Sequence, residues 1–113
     1  MRNERSERAD EPLRHALNGR SPVTLVASYY GRSLAGNPTA SGEPYDPEGY
    51  TAAHRDLPLG TRLLVSRGGE SVRVTVNDRG PYAAGHDLDL SLAAARKIGL
   101  IGPGSAPVRV SVL

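Results

Sequence analysis

Residues 62–82 read RLLVSRGGESVRVTVNDRGPY, and their pattern decides the fold class. Val72, Val74 and Val76 alternate with Arg73 and Thr75, the period-2 signature of a strand with one face buried. An apolar run, TRLLV, precedes them, and the Gly68-Gly69 pair between the two runs is a tight connection. Residues 62–77 therefore read as a β-hairpin. The returning strand ends on Asn77-Asp78-Arg79-Gly80-Pro81-Tyr82. A turn uses Gly and Pro and favours Asn or Asp ahead of them. It has no need of an adjacent Asp-Arg pair with an aromatic residue just beyond, so this strand end is also a place for a working carboxylate.

Outward from the hairpin the chain continues in short elements. VTLVASYYG, from Val23 to Gly31, reads as a first strand. Residues 31–51 are rich in Gly and Pro and lack periodicity, and loops of this length in small domains tend to carry function. This one holds Glu43, Tyr45, Asp46, Glu48 and Tyr50. TAAH (51–54) is a short apolar strand ending on His54. Beyond the Gly-Pro turn, Asp89 or Ser91 is placed to cap a helix of about two turns, with Arg96 and Lys97 in its last turn and Gly99 as its stop. VRVSVL closes the chain as a strand with Val108, Val110 and Val112 on one face. Residues 1–22 are charged and aperiodic, which predicts a flexible arm with room for a short helix over residues 11–18.

With 113 residues there is room for one domain, over 23–113, and its core is unusual: no Phe, no Trp, no Cys and one Met. The interior must be built from Val, Leu, Ile and Ala. Thirteen Gly and nine Pro indicate many turns, and short strands with so small a core favour closure into a barrel, which removes exposed edges. The formal charge of +2 is small, and the Arg residues are dispersed and partly matched by acids, so nucleic-acid binding is not expected. No run of apolar residues is long enough to span a membrane. Residues 1–20 contain no apolar core of a signal peptide and no lipobox. A monomer without cofactor is expected.

The groups that could carry chemistry are Glu43, His54 and Asp78, all in the long loop or at strand ends. A carboxyl that keeps its proton could protonate the leaving oxygen of a glycosidic bond while another group stabilises positive charge at the anomeric carbon. Packing against Tyr82 and apolar strand residues would help Asp78 do so, with Arg79 facing away or binding ligand. Tyr30, Tyr45 and Tyr82 could form an aromatic platform for sugar rings, while Tyr29 fits better as a plug at the barrel end. His15, His54 and His86 converge on no metal-ligand spacing, so no metal site is expected, and His86–Asp89 (HDLD) reads as a helix entry.

Taken in order, ASYYG, TASGEPYD, TAAHRDLPLGTRLLV, VTVNDRGPY and DLDLSLAAARKIGL resemble the rare lipoprotein A (RlpA) family over about Val23 to Leu113. The resemblance implies a six-stranded double-psi β-barrel in the bacterial cell envelope. It also implies a lytic transglycosylase that cuts the N-acetylmuramic acid–N-acetylglucosamine bond of denuded peptidoglycan strands and leaves 1,6-anhydro ends. Asp78 matches the family's catalytic acid/base, and Glu43 and His54 match its other functional polar positions. Tyr30, Tyr45, Arg79, Tyr82 and Asp89 are the expected substrate-binding residues. Three positions depart from the family pattern: Tyr29 in place of Trp, Leu34-Ala35-Gly36-Asn37 in place of an aromatic-His-Gly-Arg run, and His86-Asp87 near a customary Arg. The same barrel also hosts expansin-like proteins that bind polysaccharide without cutting it, so a non-catalytic glycan-binding barrel is the alternative.

Overall fold

The computed structural model describes residues 22–113; the expected arm and the expected helix over residues 11–18 fall outside the described residues. Six strands form a closed barrel: β1 (Val23–Tyr29), β2 (Thr51–Ala53), β3 (Arg62–Arg67), β4 (Glu70–Asp78), β5 (Leu88–Leu90) and β6 (Ala106–Val112). Around the barrel their order is β1-β5-β2-β4-β3-β6. Two contacts are parallel, β1 with β5 and β2 with β4, and the other four are antiparallel.

The alternating residues of each strand fill the interior. Leu25 and Ala27, Ala52, Leu63 and Val65, Val72, Val74 and Val76, Leu88 and Leu90, and Val108 and Val110 form one buried cluster. Six short strands enclose a narrow cross-section, which branched aliphatic and Ala side chains fill without large aromatics. The hairpin runs as expected, Leu63 opposite Val74 and Val65 opposite Val72, across the Gly68-Gly69 turn.

One strand is absent from the sequence reading. Leu88–Leu90 forms β5 between β1 and β2, with Leu88 and Leu90 inward and Asp89 outward. A three-residue strand is too short to give a period, so HDLD looks like a helix entry. The helix α1 (Leu92–Lys97) begins one residue past β5, and its N-cap is Ser91, not Asp89. Ala94, Ala95, Ile98 and Leu100 pack into the core cluster from this segment.

The long loop is ordered by hydrogen bonds rather than by a core of its own. A 3-10 turn at Arg32–Leu34 leads into a narrow hairpin bridged at Pro38 and Pro44. Its far side is pinned to α1: Ala93 N–H donates to Pro47 O (2.9 Å), and Leu92 N–H to the buried Tyr45 hydroxyl (3.1 Å). Ser91 is the rivet. Its hydroxyl, fully buried, donates to Gly49 O (2.7 Å) and accepts from Thr51 N–H and Ala94 N–H (both 3.3 Å). Ser91→Ala therefore removes a helix cap and leaves the part-buried Gly49 carbonyl without this donor, at an expected cost of about 1–3 kcal/mol. Urea unfolding of the variant checks this, and a loss under about 0.5 kcal/mol, the usual range for surface positions, would contradict the role.

Candidate active site

Three strand ends meet at one place. Ala53 of β2 is paired with Asp78 of β4 on one side and with Asp89 of β5 on the other. The β2–β4 register shifts between Ala52 and Ala53, so Asn77 is an extra residue on β4, a bulge that re-aims the strand end. Ala53 is fully buried yet outside the core cluster, so it faces outward beneath this site. Gly80, at φ +119, then takes the chain away from Asp78 through backbone that other residues rarely adopt.

Asp78 is held by three donors. Its Oδ1 accepts from Arg79 N–H (2.8 Å) and from Ala40 N–H in the long loop (2.9 Å). Its Oδ2 accepts from the Tyr30 hydroxyl (2.9 Å). Ser41 N–H donates to Asn77 O (3.0 Å), so the loop tip is fixed on the end of β4 by two consecutive amides. Burial, then the bond to Asp78 and its charge, hold the Tyr30 hydroxyl far above the ordinary tyrosine range. Tyr30 also meets Tyr45 edge to face, at 4.9 Å between centroids.

These residues line a groove of about 130 Å³: Tyr30, Leu34, Asn37, Pro38, Thr39, Tyr45 and Asp78. Pockets that enclose a drug-sized ligand span roughly 300–1,000 Å³. This one can seat part of a single ring while the rest of a longer chain passes across it. Among the described residues there is no cluster of His, Asp or Glu fit to hold a metal ion.

The other sequence candidates fall into distinct places. Glu43 is exposed on the loop hairpin whose tip covers Asp78, off the groove lining, and accepts from Ser41 Oγ (3.2 Å). Arg79 turns its guanidinium away, onto the carbonyls of Leu57 (2.6 Å) and His54 (3.2 Å). Tyr82 is 79 % exposed and off the groove lining, so it neither packs Asp78 nor joins the tyrosine pair. The surroundings of Asp78 are instead hydrogen-bond donors and Tyr30. Tyr29 packs against the core, as a barrel-end plug should. Asp89 accepts from Ser28 Oγ (3.0 Å), and burial pushes its carboxyl above the usual range, with the Asp78 charge adding to the rise. Sequence reasoning missed Ala40, whose contribution is a backbone amide, and Ser28, whose outward position follows from the alternation of β1.

His54 is nearly fully buried, and its backbone N–H donates to Asp78 O (3.1 Å). Its Nδ1 accepts from two backbone amides, Asp56 and Leu57, each at 3.0 Å. The ring is therefore neutral with its proton on Nε2, and burial lowers its pKa from 6.5. A lowered value means that the neutral form supports folding. That support is present above pH 6.5 and lost as pH falls through the folded-state value. Wild-type stability should thus decline on mild acidification, by up to about 1.4 kcal/mol per pH unit within that window. His54→Asn, whose side-chain oxygen can accept the same amides without titrating, should lack this component. Urea unfolding at stepped pH checks it; parallel profiles would refute the assignment.

Comparison with known proteins then places the chain. A family model described as "Lytic transglycolase" matches residues 23–110. A probable endolytic peptidoglycan transglycosylase RlpA from a Nostoc species is 52 % identical over 109 residues, covering 93 % of this chain and 29 % of that protein. The endolytic peptidoglycan transglycosylase RlpA of Pasteurella multocida is 49 % identical over 90 residues, covering 78 % and 31 %. The chain thus spans about a third of the length of these curated relatives. Among solved structures, a Clavibacter michiganensis expansin superposes with a TM-score of 0.65 at 25 % identity, over 81 % of this chain and 50 % of that one. A Streptomyces papain inhibitor superposes at 0.66 with 24 % identity, over 81 % and 94 %, which shows the shared double-psi barrel. The match from β1 to β6, carried through every strand end that builds the groove, makes this chain a member of the lytic transglycolase family.

Proposed function

We propose that the barrel is a peptidoglycan lytic transglycosylase domain acting in the cell envelope on denuded glycan strands, with Asp78 as its acid/base. The observation that carries this reading is the placement of the Asp78 carboxyl at the floor of a groove walled by Tyr30 and Tyr45. The relatives' names supply the substrate class.

In this reading the two oxygens of Asp78 have different tasks, as their unequal hydrogen bonding supports. Two backbone amides occupy Oδ1, so the proton to be transferred belongs on Oδ2, beside the Tyr30 hydroxyl. Asp78 delivers it to the glycosidic oxygen as the bond from that oxygen to the muramoyl anomeric carbon breaks. The C6 hydroxyl of the same muramoyl ring attacks the anomeric carbon, forming the 1,6-anhydro bridge and returning its proton to Oδ2. No water is consumed. Because nucleophile and electrophile share one ring, the reaction needs orientation more than a second base. The Tyr30–Tyr45 edge supplies a ring-packing wall, and the loop tip carrying Ala40 fixes the carboxyl's direction. Glu43 and His54 support the site from the loop and from the turn behind Asp78.

Digestion of denuded glycan strands, read by mass spectrometry, tests the proposal. Anhydro-muramoyl ends are expected from the wild type. Asp78→Asn should lower their formation by at least about a hundredfold, the lower end for loss of a general acid, with fold and glycan binding kept. Reducing ends would mean hydrolysis instead, and binding without any product would mean an expansin-like holder.

A further inference from the structure

Asp89, one strand from Asp78, belongs to a hydrogen-bonded chain that leads to His86. Ser28 Oγ lies 3.0 Å from Asp89 Oδ1 and 3.1 Å from His86 Nδ1. The chain is held at both ends. Ser28 and Asp89 are direct partners in the parallel β1–β5 register. His86 is fixed through its backbone, where Arg55 donates to His86 O (2.6 Å) and Pro81 O (2.7 Å). Next to it, Asp87 is tied to β1 through both its amide and its carboxylate, each on Val26 (2.8 and 2.9 Å).

A serine hydroxyl has one proton, and the chain has two contacts to satisfy. If His86 Nδ1 carries a proton, it donates to Ser28 Oγ, which gives its own proton to Asp89 as carboxylate. If Nδ1 is bare, Ser28 donates to it, and the Ser28–Asp89 contact needs a proton from Asp89 as carboxylic acid. With Nε2 protonated in both, the two arrangements hold the same number of protons, an imidazolium with a carboxylate or an imidazole with a carboxylic acid; the neutral Nδ1–H tautomer also keeps Asp89 a carboxylate. Passing between them moves one proton from His86 to Ser28 and one from Ser28 to Asp89.

We propose that His86 is a positioning residue for the reaction, setting through Ser28 whether Asp89 stands beside Asp78 as a carboxylate or as an acid. The proposal rests on the groove's reading as a transglycosylase site. Asp78 and Asp89 both pair with Ala53, so their backbones are two strand spacings apart, roughly 10 Å. A carboxylate there favours the positive charge that develops at the anomeric carbon; a neutral acid does not. Asp89 is faced by Asp78 from β4, by Ser28 from β1 and Tyr30 just past it, by Tyr45 from the long loop and by His86. Around His86 stand Arg55 and Asp87, an ion pair at 3.5 Å.

The test compares wild type with His86→Leu, Ser28→Ala, their double variant and His86→Asn, whose amide nitrogen lies near the Nδ1 position. Two readouts are taken: kcat/KM for glycan cleavage across pH 5–8, and the titration of the Asp89 side-chain carbon by carbon-13 NMR. His86→Leu and Ser28→Ala should each lower kcat/KM by roughly ten- to a hundredfold, the rate equivalent of one hydrogen bond to a charged group. The double variant should be no worse than the poorer single one. The Asp89 midpoint should rise in both, because Ser28 and His86 each lower it in the wild type. His86→Asn should recover most of the rate, because its amide can donate to Ser28 in place of Nδ1. An unmoved Asp89 midpoint in His86→Leu, or losses that add in the double variant, would overturn the proposal. If the wild type cleaves nothing, the transglycosylase reading fails, while the Asp89 midpoints still decide whether the chain couples His86 to this carboxyl.

Discussion

The hydrogen bond from Ala40 N–H to the Asp78 carboxylate is the contact on which the site depends. It joins a loop without a core of its own to the last residue of the longest strand. With Ser41 N–H on Asn77 O and Tyr30 on the other carboxylate oxygen, it brings β1, β4 and the loop into one rigid corner. Loops that position chemistry need such ties, because nothing apolar holds them down. Here the tie is the Asp78 carboxylate, so the shape of the groove and the direction of that carboxylate are one feature.

The barrel was legible where its residues repeat. Val72, Val74 and Val76 announce β4, and the Gly pair announces its turn, because alternation over several residues reports a buried face directly. β5 was hidden for the converse reason: three residues give no period, and Asp89 followed by Ser91 imitates a helix start. Asp78 could be read because an acid before Gly-Pro exceeds what a turn requires. Its partners could not. Ala40 acts through its backbone, and at Asp89 the hidden partner is Ser28, 61 residues from Asp89 and 58 from His86. Tyr82 was drawn to Asp78 by sequence proximity alone, and Gly80 turns the chain so that it stands in solvent instead.

The same barrel carries expansins and a papain inhibitor, so the fold by itself names no activity. The local features of this chain are a carboxyl whose two oxygens have unequal surroundings and, beside it, a pair of tyrosines in contact. The inequality matters because an acid that must both give and retake a proton needs one oxygen fixed and the other available. Backbone amides do the fixing, and no side-chain substitution elsewhere can supply or withdraw them without moving the loop.

The two carboxyls on either side of Ala53 then differ by construction. Asp78 sits at a strand end, met by three donors and open to the groove. Asp89 sits mid-strand, more enclosed, with one hydroxyl as its partner and a histidine behind that hydroxyl. Environments that separate two nearby acids are how a single site divides proton donation from charge stabilisation. Ala53, small and fully buried, is the residue with which both acids pair, so their backbones stand two strand spacings apart.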